Sequence, residues 1–162
     1  MKQNKRSILI TFILSFFFML PVSFANNPDN QIEQLLSQPS APAGVVFEIV
    51  TGSANSLDWT LPKIYKLIKK LRARYPQLEI AIVTHGNEQF ALKTINNRKH
   101  KKVHSITQQL VQKNNVQLHV CGTYANMKNV SEEEFPDYVD VTAEGPATIN
   151  DYIALGYQLI KL

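Results

Sequence analysis

Two apolar runs bracket one amphipathic helix, and that order leaves the chain few folds. Val45-Val46-Phe47-Glu48-Ile49-Val50 is nearly continuous in apolar residues and ends in Thr51-Gly52-Ser53, the pattern of a strand buried on both faces and its turn. Leu78 to Thr84 repeats the pattern with Ile80, Ile82 and Val83 and ends in His85-Gly86-Asn87. Between them Leu61, Ile64, Leu67, Ile68, Leu71 and Tyr75 recur at three- and four-residue steps, while Lys63, Lys66, Lys69, Lys70, Arg72 and Arg74 fill the other faces. Thr60 is the expected N-cap, which leaves Pro62 in the first turn, and Pro76 marks the stop. A strand, a helix and a second strand of this kind make a right-handed crossover in a parallel sheet.

The remainder continues the alternation. Glu88 to Ile95 reads as a short helix, Asn96 to Lys102 as a basic loop, and Val103 to Lys113 as an amphipathic helix stopped by Asn114-Asn115. Val116 to Cys121 is a third strand, and Thr123 to Met127 a short helix. Ser131 and Glu134 fit a capping box with Val130 stapled onto Phe135, so the Glu132-Glu133-Glu134 carboxylates are read as structural rather than as metal ligands. Tyr138 to Thr142 is a fourth strand, Ala147 to Leu155 a helix ended by Gly156, and Tyr157 to Leu162 a fifth strand. The fold class is α/β, a mostly parallel five-stranded sheet covered on both faces. A flavodoxin-like strand order of 2-1-3-4-5 is expected, with Cys121 beside the first strand at the switch point and facing the Thr51-Gly52-Ser53 turn. Glu48 interrupts the first strand; it sits at an edge, finds a buried partner, or lines an oligomer contact.

The amino terminus has its own pattern. Lys2, Lys5 and Arg6 precede the apolar run Ile8 to Leu20, and Ser23-Phe24-Ala25 supplies the small residues of a cleavage site, so residues 1–25 are expected to be a signal peptide cut after Ala25, with an uncleaved anchor as the alternative. Residues 26–43 are a polar lead-in with Pro28, Pro39 and Pro42 and a short docking helix around Ile32 to Leu36, and 44–162 form one domain. The signal holds three of the 17 basic residues and none of the 13 acidic ones, so the mature chain carries 14 and 13. Its charge is close to balance, which gives no ground for nucleic-acid binding. A periplasmic or secreted location follows, with no stable membrane insertion after cleavage.

Export places the protein in an oxidising compartment, yet its one cysteine, Cys121, allows no internal disulfide. The thiol is therefore buried as a small core residue, paired with another molecule, or reactive. Its place at the end of a central strand, ahead of Gly122 and Thr123, favours a thiolate, because ligands gather at the carboxyl ends of parallel strands. His85 is the candidate support for that thiolate, although the expected order puts it two strands away; His119 lies on the same strand face, about 7 Å along. Gly52, Ser53, Gly122 and Thr123 are the candidate ligand-binding residues. The chain has no dinucleotide or phosphate-loop glycine fingerprint, no Gly-x-Ser-x-Gly elbow and no zinc-spaced Cys/His set, so neither a cofactor nor a metal is expected.

Taken in order, these segments resemble the DsrE/DsrF-like family: a leading strand Val45 to Thr51 ending in glycine, Val83-Thr84-His85-Gly86, Val116 to Thr123 with its Cys-Gly, Val130-Ser131-Glu132-Glu133, Val139-Asp140-Val141 followed by Gly145, and the closing Gly156-Tyr157. The resemblance runs from about Gly44 to Leu162. It implies a three-layer α/β/α domain that assembles into homo- or hetero-oligomers, and a sulfur relay in which Cys121 carries sulfane sulfur as a persulfide between donor and acceptor proteins. Enzymatic turnover would at most be that of a sulfurtransferase-like relay. Two other readings stand beside it: a non-catalytic oligomeric binding module that keeps Cys121 only as packing, and a membrane-surface protein using the basic helix face and the 98–102 loop.

Overall fold

The computed structural model describes residues 27–162, so the expected signal peptide lies outside the described residues. Five strands, β1 (Gly44–Ile49), β2 (Glu79–Thr84), β3 (Val116–Cys121), β4 (Asp140–Thr142) and β5 (Tyr157–Lys161), form one sheet in which every pairing is parallel. The helices are α1 (Pro28–Leu36), α2 (Leu57–Arg74), α3 (Lys101–Gln108), α4 (Gly122–Met127) and α5 (Gly145–Ala154). With helices on both faces this is the three-layer α/β/α class that the alternation implied.

The strand order is β4-β3-β2-β1-β5, which corrects the expected 2-1-3-4-5. The cause is visible in the helix layers. Leu61, Ile64, Leu67, Ile68 and Leu71 of α2 share one apolar core with Val103 of α3, on the face presented by Val45, Phe47, Ile80, Ile82, Leu118 and Val120. Right-handed crossovers put successive helices on one face only when successive strands step in one direction, so β1 to β4 march outward. Only β5 returns to the other side of β1, and α5 covers the opposite face, where Ile149 and Tyr152 meet Val46, Ala81 and Val83. The order reversal therefore falls between β1 and β5, and β3 lies beside β2 and β4.

Local differences have local causes. Helix α2 begins four residues earlier than the sequence suggests, with Ser56 at its N-cap; Thr60 is a buried helical residue and Pro62 sits inside the helix. The expected helix at 88–95 is a pair of tighter 3-10 turns, Asn87–Leu92 and Thr94–Asn96. After α3 the helix widens over Gln109–Lys113. Ser131 and Glu134 do form a capping box, but around a single 3-10 turn, Glu132–Glu134, that leads into Pro136. The lead-in helix α1 is capped by Asn27 and buries Ile32 and Leu35 in the main core, and the Tyr75 hydroxyl donates to the carbonyls of Leu35 and Gln38 at 3.1 and 2.8 Å.

Candidate functional site

The carboxyl ends of β1, β2 and β3 are tied together by three consecutive side chains, Asn87, Glu88 and Gln89. Each strand end leaves backbone groups that the ladder no longer pairs, and buried groups of that kind need other partners. Glu88 is fully buried and serves four donors: Thr51 N–H at 2.7 Å, Thr51 Oγ1 at 3.0 Å, Thr84 Oγ1 at 2.6 Å and Gly86 N–H at 2.8 Å. Gln89, also fully buried, grips Cys121 from the next strand: its Oε1 accepts the Cys121 N–H at 2.9 Å and its Nε2 donates to the Cys121 carbonyl at 3.2 Å. Asn87 donates to the Gly52 carbonyl at 3.0 Å and accepts from the Tyr124 hydroxyl at 2.6 Å. The turn after β2 thus fixes the position of both neighbouring loops.

Cys121 closes β3 and is 5% exposed. The Tyr124 N–H donates to its Sγ at 3.4 Å, so the sulfur is the side-chain acceptor at the N-cap of α4. The neighbouring amide is not free for this work, because Thr123 N–H and Oγ1 both donate to the Ala143 carbonyl, at 3.0 and 2.9 Å.

His85 comes next to Cys121 as a direct result of the observed order. Thr84 pairs with Val120, so His85 and Cys121 are the following residues on adjacent strands and share the face that α5 covers. A Cβ placed on Gly145 would lie 2.7 Å from the His85 Cβ and 3.4 Å from the Cys121 Cβ, so the start of α5 rests on both residues at once. The expected separation of two strands is corrected: the two residues are neighbours. The His85 Nε2–H donates to Glu48 Oε1 at 3.0 Å, and Lys161 Nζ lies 3.0 Å from Glu48 Oε2. Glu48 has thereby found partners within the sheet. Burial pushes its carboxyl up, but the hydrogen bonds and charges of Lys161 and His85 outweigh that and hold it below the usual carboxylate range.

The other candidates are placed differently. Gly52 and Ser53 are exposed on the turn after β1, two strands from Cys121, and do not face it across a crevice; Asn87 is the link between that turn and α4. Gly122 and Thr123 are the first residues of α4. His119 turns away from the thiol to bridge Asp140 Oδ2, 2.5 Å from Nδ1, and the Tyr152 hydroxyl, 2.8 Å from Nε2. His104 is buried between the Tyr138 hydroxyl and the Ala91 carbonyl, and His100 meets Asp58 at 3.0 Å. Among the described residues no three His, Cys, Asp or Glu side chains converge as a metal site would require.

The basic surfaces are partly used within the chain. Lys63 pairs with Asp29, Lys70 with Glu33, and Arg72 donates to backbone carbonyls that include Leu78 and Asn115. No helix among the described residues is long and apolar enough to cross a membrane. Sequence reasoning missed Asn87, Glu88 and Gln89. The only signal was three polar residues directly after the His85-Gly86 turn, where a ligand-binding end of the sheet begins.

A family model described as the DsrE/DsrF-like family matches residues 44–162. Among solved structures, the fold is similar to "Structure of Protein of Unknown Function MTH1491 from Methanobacterium thermoautotrophicum", with 18% sequence identity, a TM-score of 0.58, and coverage of 73% of this chain and 97% of that one. No curated protein matches the chain.

Proposed function

The chain belongs to the DsrE/DsrF-like family, and we propose that it is an exported sulfur carrier that holds sulfane sulfur on Cys121. One observation carries the reading: the only thiol of the protein is fixed at the end of a central parallel strand, with its backbone gripped by Gln89, an amide donating to its sulfur, and the His85–Glu48 pair beside it. With Nε2 committed to Glu48, His85 Nδ1 is the atom that takes the thiol proton. The Cys121 thiolate then attacks the terminal sulfur of a donor persulfide R–S–SH. A bond forms between Sγ and that sulfur, the donor S–S bond breaks, and R–S⁻ leaves. A partner thiolate reverses the sequence and regenerates Cys121. No net electrons and no cofactor enter. Donor and acceptor proteins, and related subunits in an oligomer, are the partners of such a relay. Export rests on the positive, apolar and small-residue pattern of residues 1–25.

The test is intact-mass measurement after incubation with polysulfide or thiosulfate. The expected result is addition of one sulfur atom, removed by a reductant and never seen in Cys121→Ser. A second reading has its own support, since Cys121 is 5% exposed. In that reading the fold is an oligomeric binding module and the thiol only fills space. A native protein that takes up no sulfur and resists alkylation until unfolded would favour it.

A further inference from the structure

The sheet is incomplete along one edge. Strand β4 pairs with only the last three residues of β3, from His119 opposite Asp140 to Cys121 opposite Thr142. The ladder stops there because the preceding chain turns away: the Val139 N–H donates to the Pro136 carbonyl at 2.8 Å. Val116, Gln117 and Leu118 consequently run beside β2 alone. Next to them lies a groove of about 810 Å³, walled by half-buried Val111 and Tyr138, and it continues past Pro136 into a second space of about 650 Å³. Exposed Glu133, Asp137 and Asp140 stand on its rim, and no Lys or Arg lines either part. Lys93, which reaches the neighbouring Glu132–Glu134 turn, is paired there with Glu134.

We propose that this groove docks an extended, cation-rich segment of a partner protein, which adds to the free edge of β3 in line with β4. An unpaired strand edge offers the backbone hydrogen bonds of strand addition, and the acidic rim selects the charge of the guest. A second copy of this chain is a poorer match. Among the described residues its basic cluster, Arg98 to Lys102, lies on a turn and the start of α3, and the one cation of edge strand β5, Lys161, is paired with Glu48. The site is separate from Cys121 and stands whether or not that thiol carries sulfur.

The experiment is an amide-shift titration of the isotopically labelled protein with two blocked heptapeptides, one alternating lysine and valine and one alternating glutamate and valine. The lysine peptide should move the amides of Val116, Gln117, Leu118 and Tyr138, while the glutamate peptide moves none. The double substitution Glu133→Lys with Asp137→Lys, both on exposed positions, should weaken the lysine peptide about tenfold or more at low salt. Equal shifts with both peptides, or none with either, would overturn the proposal, and this comparison needs only the unaltered protein. So would self-association in sedimentation that covers the Val116 to Leu118 edge and is abolished by the double substitution, which would make a second copy the occupant.

Discussion

Gln89 holds Cys121 by both ends of one side-chain amide, accepting its N–H at 2.9 Å and donating to its carbonyl at 3.2 Å. The two residues are 32 positions apart, and the contact replaces the ladder that β2 no longer supplies beyond Thr84. Gln89→Leu keeps much of the volume but leaves two buried backbone groups without partners. A loss of about 3 kcal/mol is expected, since each orphaned group costs roughly 1–3 kcal/mol. Urea unfolding followed by circular dichroism measures it, and an unchanged midpoint would mean that Cys121 finds other partners. If sulfur loading depends on this grip, the same variant loads more slowly even where it is fully folded.

Glu88 makes a sharper prediction, because its two oxygens accept four hydrogen bonds in a fully buried place. Glu88→Gln changes one atom, yet it replaces an acceptor oxygen with an NH₂ that faces two donors. Hydrogen bonds to a charged group contribute about 1.5–3 kcal/mol each, so the near-isosteric change should destabilise the protein by roughly 3 kcal/mol. It should also loosen the Thr51 turn, which hydrogen exchange at the Thr51 and Gly86 amides would report. Wild-type protection in Glu88→Gln would remove the assigned role.

Acid should weaken the fold in two stages. Burial holds the His104 imidazole below its usual range, and the His100 charge adds to that against the Ala91 and Lys93 backbone contacts. A group whose folded pKa is lowered binds fewer protons folded than unfolded, so stability is full above the unfolded value near 6.5 and is lost as pH falls from there through the folded value. Glu48, lowered by Lys161 and His85 against its burial, behaves in the same sense below the ordinary carboxylate value of 4.5. The urea midpoint should therefore fall once starting just below pH 6.5 and again below pH 4.5. His104→Gln should flatten the first stage and leave the second.

What the sequence discloses here depends on how local each cause is. β1, β2 and β3 were legible because strands buried on both faces are continuously apolar, and α2 because its Leu and Ile residues keep helical spacing. Strand order was not, since it follows from which helices share a core layer, and Leu61 meeting Val103 has no local signature. For the same reason Cys121 and His85 each stood out as strand-end residues while their adjacency did not. The roles of Glu88 and Gln89 were hidden altogether: their partners Thr51 and Cys121 lie 37 and 32 positions away, and in isolation the pair reads as the polar start of a helix. β4 was expected from Tyr138, but the Pro136 to Val139 turn removes its first two residues from the ladder.

Gly145 should control access to the thiol. A methyl group there would sit 2.7 Å from the His85 Cβ, closer than packed carbons tolerate, and 3.4 Å from the Cys121 Cβ. Gly145→Ala must therefore lift the start of α5 or push His85 aside, at a cost of about 1–3 kcal/mol for overpacking. Lifting the start of α5 uncovers Cys121 on the side where Gly145 packs against it, so alkylation of the native thiol should become faster although the protein is less stable. Gly52→Ala is the matched control, since a Cβ at that exposed turn meets nothing within 4 Å and should change neither stability nor alkylation. Slower alkylation in Gly145→Ala would mean that the added methyl seals the route under α5, and unchanged alkylation that reagents reach Cys121 past Tyr124 instead.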